Sequence, residues 1–359
     1  MDDLPAPTRD LLALTLVPGL GPRLTAALVR HFGTAAAVMR ADPAQMRQIP
    51  HIGEKLARQF TEALRGLDVQ PELDAIARHG VRITTIGELG YPAALARIPD
   101  PPTLLYRRGT FTEADARAVA IVGSRQCSNY GRKMAGQIAA GLARAGFTVV
   151  SGLALGVDGA AHDGALKAGG RTIAVLAGGL SRIYPPDHLE LSRAVEQSGC
   201  LLSETPMALP PQPGMFHARN RIISGLSRAI VIVEAGERSG ALITASHAAE
   251  QGRELFAVPA NVDSPFSAGT LRLLRNGARL VRGIDDILED LGGIAPIVEA
   301  AAAQPAPEPP ALDEPQRRVW EQLAGGSRHV DDLASAIGMP VAQLGGLLMQ
   351  LELKKVVRR

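Results

Sequence analysis

The chain has 359 residues, enough for two or three domains, and 46% of them are hydrophobic, ample for their cores. A net charge of +2 excludes a global basic field and confines any nucleic-acid site to a local patch, while aromatics at 3% exclude an extended base-stacking platform but not one or two local stacks. Two cysteines without metal or disulfide spacing, no apolar run of membrane-spanning length and no cleavable leader pattern give the expectation of a soluble, cytoplasmic protein with no membrane contact.

Residues 11 to about 67 carry helical periodicity and an approximate repeat. Val17-Pro18-Gly19-Leu20-Gly21 followed by Leu24 and Leu28 recurs as Ile49-Pro50-His51-Ile52-Gly53 followed by Leu56 and Phe60. Each unit reads as a helix-hairpin-helix, whose turn can offer backbone N–H groups to a DNA phosphate without reading sequence; a small bundle used only for packing fits equally well. His51 stands where the first turn has Gly19, which makes the second copy the weaker phosphate binder. From Pro71 to Phe111 the pattern is mixed, with a helix ending near His79-Gly80 and short strands at 81–84 and 103–106 that extend the sheet to come.

The apolar run Val119-Ala120-Ile121-Val122 breaks into Gly123-Ser124-Arg125, and Met134, Ile138 and Leu142 then fall on one helical face. Strand, glycine turn and helix form an anion site through free N–H groups and the helix dipole, and Arg125 adds a full positive charge. Strand and helix signals alternate from there to about Val281, in the manner of an open parallel sheet. Strands are expected at 119–122, 148–150, 172–176, 200–202, 230–233 and 255–258. Their carboxyl ends lead into Gly123-Ser124-Arg125, Ser151-Gly152, Gly178-Gly179, Ser203-Glu204 and Glu234-Ala235-Gly236, which a parallel sheet gathers on one edge, at one crevice.

No phosphate-loop motif G-x-x-x-x-G-K-[ST] occurs, and the G-x-G-x-x-G fingerprint is absent after the first strand, so neither nucleotide hydrolysis nor a dinucleotide cofactor is expected. Asp158 and His162 lie four apart on a helix, the spacing of an acid/base pair. The favoured reading is structural, with Asp158 as an N-terminal cap and His162 bonded to a neighbouring loop. In Phe216-His217-Ala218-Arg219-Asn220-Arg221, two arginines two apart cannot face the same way, so one should reach the crevice while the other ties down its surroundings. The phosphate-binding centre is expected to be Arg125 with one of Arg219 or Arg221, and Phe216 or Tyr130 is placed to stack a base. Arg238-Ser239-Gly240 precedes another helix and is a second anion cradle. Residues 296–315, rich in Ala, Pro and Glu, read as a linker. Three helical patterns follow, at 319–323, 330–337 and 341–351, resembling a winged helix-turn-helix, and the last has mostly Ala, Leu, Gly and Met where base readers need Arg, Asn or Gln.

These residues together resemble the DNA-processing protein A (DprA/Smf) family of bacterial natural transformation. The likeness runs through Gly123-Ser124-Arg125, the loop from Ser151 to His162, Tyr184-Pro185-Pro186, Ser203-Glu204-Thr205-Pro206, Arg219 to Ser227, Glu234 to Ala245 and Phe256-Ala257-Val258-Pro259, about half the chain. The resemblance implies an extended Rossmann-like α/β core with a helical N-terminal helix-hairpin-helix (SAM-like) domain and a C-terminal winged-helix domain, at 1–67, 71–293 and 317–359 with the linker at 294–316. It further implies sequence-independent binding and protection of single-stranded DNA, loading of RecA recombinase, a homodimer formed through the α/β domain, no cofactor, no metal and no catalysis. Its binding set would be Gly123, Ser124, Arg125, Ser151, Gly152, Phe216, Arg219, Asn220, Arg221, Arg238, Ser239 and Gly240. Leu155 departs from a position usually basic in that family, His217 from one usually proline and Ala260 from a common glycine. The rival is a nucleotide phosphoribohydrolase-like enzyme on a related fold, which uses a glutamate in a P-G-G-x-G-T-x-x-E turn. The corresponding turn here, from Glu234 to Thr244, carries an apolar or hydroxyl residue in its place.

Overall fold

A computed structural model describes residues 4–292, 313–323 and 330–353. The chain divides into two compact units, Met1–Ile294 and Ala295–Arg359.

In the first unit, helices α1 (Ala6–Thr15), α2 (Pro22–Phe32), α3 (Ala35–Arg40), α4 (Pro43–Met46) and α5 (Glu54–Arg65) enclose their own core. The two copies of the repeat meet there. Val17 and Ile49, Leu20 and Ile52, and Leu28 and Phe60 are all buried, so each hairpin supplies matching knobs to one core. Gly19 sits at φ +82°, and His51 occupies the equivalent place at φ +70°. Left-handed backbone costs a residue with a β carbon about 1 kcal/mol, and His51 is exposed, with no packing to offset it. His51→Gly should therefore raise the denaturant midpoint by up to ~1 kcal/mol of stability, less the chain entropy that glycine loses on folding.

After α6 (Gln70–Arg78) comes a nine-stranded sheet: β1 (Arg82–Thr85), β2 (Leu104–Gly109), β3 (Ala118–Val122), β4 (Thr148–Ser151), β5 (Thr172–Val175), β6 (Cys200–Ser203), β7 (Ala229–Ile232), β8 (Glu254–Ala257) and β9 (Arg279–Leu280). The spatial order is β1-β2-β6-β5-β4-β3-β7-β8-β9. The strands from β3 to β9 are parallel. Antiparallel β2 joins them at β6, so β1 and β2 extend the sheet as the sequence suggests. Every residue of β3 to β7 is buried, because helices cover both faces. The helices of this α/β region are α7 (Asn129–Arg144), α8 (Val157–Lys167), α9 (Leu189–Ser198), α10 (Pro213–Leu226), α11 (Ala241–Glu250), α12 (Ala268–Arg275) and α13 (Ile284–Asp290).

One face of the sheet packs Ala120, Val122, Val150, Ile173 and Ile230 against Ile222, Ile223 and Leu226 of α10 and Ala241, Ala245 and Ala248 of α11. The other packs Tyr106, Ala174 and Leu201 against Ala75 and Ile76 of α6 and Val195 of α9. The connections reverse beside β3, since the chain runs outward through β4, β5 and β6, then returns to lay β7 on the opposite side. The loops after β3 and β7 diverge there, opening a crevice at the strands' carboxyl ends.

The second unit contains α14 (Glu314–Leu323), α15 (Val330–Ile337) and α16 (Val341–Leu353), packed through Val319, Leu333, Leu344 and Leu351. Its first helix starts five residues ahead of the expected pattern, taking up the end of the linker; the linker residues up to 312 lie outside the described residues, as do Lys354, Lys355, Arg358 and Arg359. The exposed positions of α16 include Val341, Gln343 and Met349, with no cation among its described residues, a surface poorly suited to reading bases.

Candidate nucleic-acid interface

The crevice at the switch point has a volume of about 920 Å³. Gly123, Ser124, Arg125 and Gln126 line it from the loop after β3; Phe216, His217, Arg219 and Asn220 from α10; and Arg238, Ser239 and Gly240 from the turn before α11. Nine of the twelve expected residues thus meet around one opening. A smaller pocket of about 40 Å³ shares Arg125, Tyr184, Pro211 and Phe216 with it and adds Gly152, Leu155 and Arg182.

With Arg182 and Arg238, Arg125 is one of three exposed arginines at this surface. Its guanidinium carbon lies 4.4 Å from the centre of the Phe216 ring, and Tyr184 meets the same ring edge to face at 6.0 Å. The stack is worth about 0.5–1 kcal/mol at an exposed site and holds the guanidinium in place without neutralising it. Among the described residues neither Arg125, Arg182 nor Arg238 has a carboxylate within ion-pair distance, so all three retain charge for an anion.

The two arginines of α10 divide as their spacing requires, one lining the crevice and the other tying down its surroundings. Arg219, 4% exposed, forms part of the crevice floor; its Nη1 donates to the Gly152 carbonyl at 2.8 Å and to the Val175 carbonyl. A β carbon at Gly152 would lie 2.6 Å from that Nη1, so glycine there lets the guanidinium reach the backbone. Burial pulls the Arg219 pKa down to about 10, against the opposing pull of Asp158. Arg221 points elsewhere. It donates to both oxygens of Glu204, at 2.8 and 2.6 Å, and its Nε donates to the Asp100 carbonyl at 2.9 Å. Burial opposes its charge, yet Glu204 and Asp100 hold its pKa above the ordinary value. Of the two, Arg221 is therefore a structural ion pair outside the crevice, and Arg219 is the one that lines it, with Nη1 committed to backbone carbonyls.

Other expectations shift for similar reasons. Ser151 is fully buried and donates to the Ile121 carbonyl at 2.6 Å, joining β4 to β3. Asn220 donates to the Gly240 carbonyl at 3.3 Å, and Ser239 Oγ accepts the Ala241 N–H at 3.3 Å, so both shape the turn before α11. Tyr130 is absent from the crevice lining and donates its hydroxyl to the Pro259 carbonyl at 2.9 Å. Tyr184 and Arg182, which sequence reasoning left outside the binding set, stand at the opening instead. The Gly178-Gly179 turn just ahead of them was the available signal.

Asp158 is not the N-cap of α8, a place taken by Gly156; its Oδ2 reaches back to the N–H groups of Gly152 and Ala154, at 3.1 and 3.3 Å. Burial raises its pKa, with Arg219 pulling the other way. His162 is fully buried, bonds Thr172 Oγ1 at 2.7 Å rather than a loop, and is pushed down to about 3 by burial. The two do not form an acid/base pair facing the crevice. Asp158 is the sole carboxylate among the crevice-lining residues. Finally, the N-terminus of α7 is not open to an external phosphate as expected, because Ser128 and Glu234 cap it from within.

The chain is similar to known proteins along most of its length. The model of the family described as "DNA recombination-mediator protein A" matches residues 82–292, more than half of the chain. A SAM-like helix-hairpin-helix tandem matches 11–65 and the DprA winged helix domain matches 303–359. Protein Smf of Synechocystis sp. is 32% identical, covering 96% of this chain and 95% of its own length. The structure of DNA processing protein A from Streptococcus pneumoniae superposes with a TM-score of 0.68 at 32% identity, covering 78% of this chain and 95% of that one. A structure of DNA processing protein A from Helicobacter pylori, concerned with its single-stranded DNA binding mode, gives a TM-score of 0.53 at 32% identity over 58% of this chain and 95% of that one.

Proposed function

Since the chain belongs to the DNA recombination-mediator protein A (DprA/Smf) family, we propose that its crevice binds single-stranded DNA without regard to sequence, with Arg125, Arg182 and Arg238 facing the backbone phosphates. The observation that carries this reading is Arg125 itself, a guanidinium held on Phe216 at the crevice mouth and left without a carboxylate. Backbone contacts position a strand but carry no base code, and the scarcity of base-reading side chains on α16 fits the same picture. In the cell the protein would protect incoming DNA and load RecA recombinase onto it during natural transformation, acting in the cytoplasm as a homodimer joined through the α/β region. No step of this role needs catalysis. Hairpins, sheet and C-terminal helices would then be three domains, with binding centred on the second.

Titration of matched single- and double-stranded oligonucleotides at two salt concentrations tests the reading. Affinity should favour single strands, be indifferent to sequence and fall steeply with salt. A preference for one duplex sequence contradicts it.

Leu155, 44% exposed on the wall of the smaller pocket, offers a gain-of-function check. A lysine there adds one exposed phosphate contact, worth roughly 0.2–1 kcal/mol. Leu155→Lys should tighten single-strand binding by about 1.4- to 5-fold and steepen its salt slope by about 0.7.

A further inference from the structure

In a doubly wound sheet the natural seat for a mononucleotide phosphate is the N-terminus of the helix that follows the first strand at the switch point. Here that helix is α7, and its seat is filled from within the protein. Glu234, the second residue after β7, is 2% exposed. Its Oε2 accepts the Ser128 backbone N–H at 2.8 Å and its Oε1 accepts the Ser128 hydroxyl at 2.5 Å, while Ser128 Oγ accepts the Gly131 N–H at 3.1 Å. A β carbon at Gly131 would lie 2.4 Å from Glu234 Cδ and Oε2, so only glycine leaves room for the carboxyl group. The Glu234 carbonyl also accepts the Ser124 N–H at 2.7 Å, which ties the two lips of the crevice together. Among the described residues no cation lies within ion-pair distance of this side chain. Its partners are the hydroxyl and amide at the start of a helix, the donors that otherwise hold a phosphate oxygen.

We propose that Glu234 is a built-in anion that occupies the mononucleotide phosphate seat and makes the crevice refuse free nucleotides and polyphosphates. The side chain fills the volume a phosphate would take and presents like charge to any that approaches. A nucleic-acid backbone does not need that seat, because Arg125 and Arg238 line the crevice separately. The inference rests on the crevice reading above only for the ligand it spares.

The test uses the full chain without divalent cations, with inorganic pyrophosphate and ADP as probes, read by calorimetric titration and thermal denaturation. The wild type should show no saturable binding of either probe into the millimolar range. Glu234→Ala empties the seat and should bind pyrophosphate at least tenfold more tightly than the wild type, with a melting temperature that rises with probe concentration. Glu234→Gln keeps a side chain of the same shape in place and should gain nothing. If the alanine protein is unfolded, pyrophosphate should restore its fold by supplying the missing anion. Wild-type binding as tight as the variant's, a folded alanine variant with no gain, or an alanine variant that stays unfolded with pyrophosphate present would each overturn the proposal. Single-strand affinity measured on the same wild-type protein keeps the two readings apart, since its loss would count against the crevice reading while the pyrophosphate comparison stands.

Discussion

Arg125→Ala should weaken single-strand binding roughly tenfold to a hundredfold and leave the fold intact. A charge-assisted hydrogen bond to a phosphate is worth about 1.5–3 kcal/mol, and each tenfold change in affinity about 1.4. One lost contact should also flatten the salt dependence by about 0.7 in slope. The stability cost is small because the guanidinium gives up only its stack on Phe216, about 0.5–1 kcal/mol. Affinity and thermal midpoint measured on the same protein separate binding from folding; unchanged affinity at unchanged stability would remove Arg125 from the site.

Arg221→Ala should do the reverse. It strands the buried Glu204 carboxylate, which accepts two hydrogen bonds from Arg221 and is 11% exposed, and it takes one of two arginines from Asp100. Removing one partner of a buried pair costs about 3–5 kcal/mol. For a domain of this size that is a fall in melting temperature of roughly 6–20 °C. The protein that remains folded should bind single strands with nearly wild-type affinity, because Arg221 does not line the crevice. Arg221→Met combined with Glu204→Leu should recover most of the loss, since an apolar pair of similar volume avoids the desolvation of both charges. Asp100 keeps Arg23, at 2.7 Å, as its partner in that variant.

These two arginines bracket what a sequence can say about such a site. Buried parallel strands announce themselves as uncharged apolar runs, so β3 to β8 stand within a residue or so of their expected places, whereas the two exposed residues of β9 carry no such signal. Helical spacing shows that Arg219 and Arg221 diverge, but which acceptors each meets depends on Gly152 and Val175 for one and on Glu204 and Asp100 for the other, all distant in the chain. The α7 N-terminus differs from its local pattern for the same reason. Its turn chemistry is that of an anion seat, while the anion that fills it comes from 106 positions away. Local pattern therefore locates the crevice, and long-range pairing decides which of its polar groups remain open to a ligand.

Hydrogen exchange of the full chain, with and without a mixed-sequence single-stranded oligonucleotide, tests the central claim most directly. Binding in the switch-point crevice predicts new protection at residues 123–126, at the start of α10 around Phe216 and in the turn at 236–240, and little change at the hairpins near Gly19 and His51 or along α16. Protection confined to those hairpins or to α16, with the crevice exchanging as in the free protein, would contradict it.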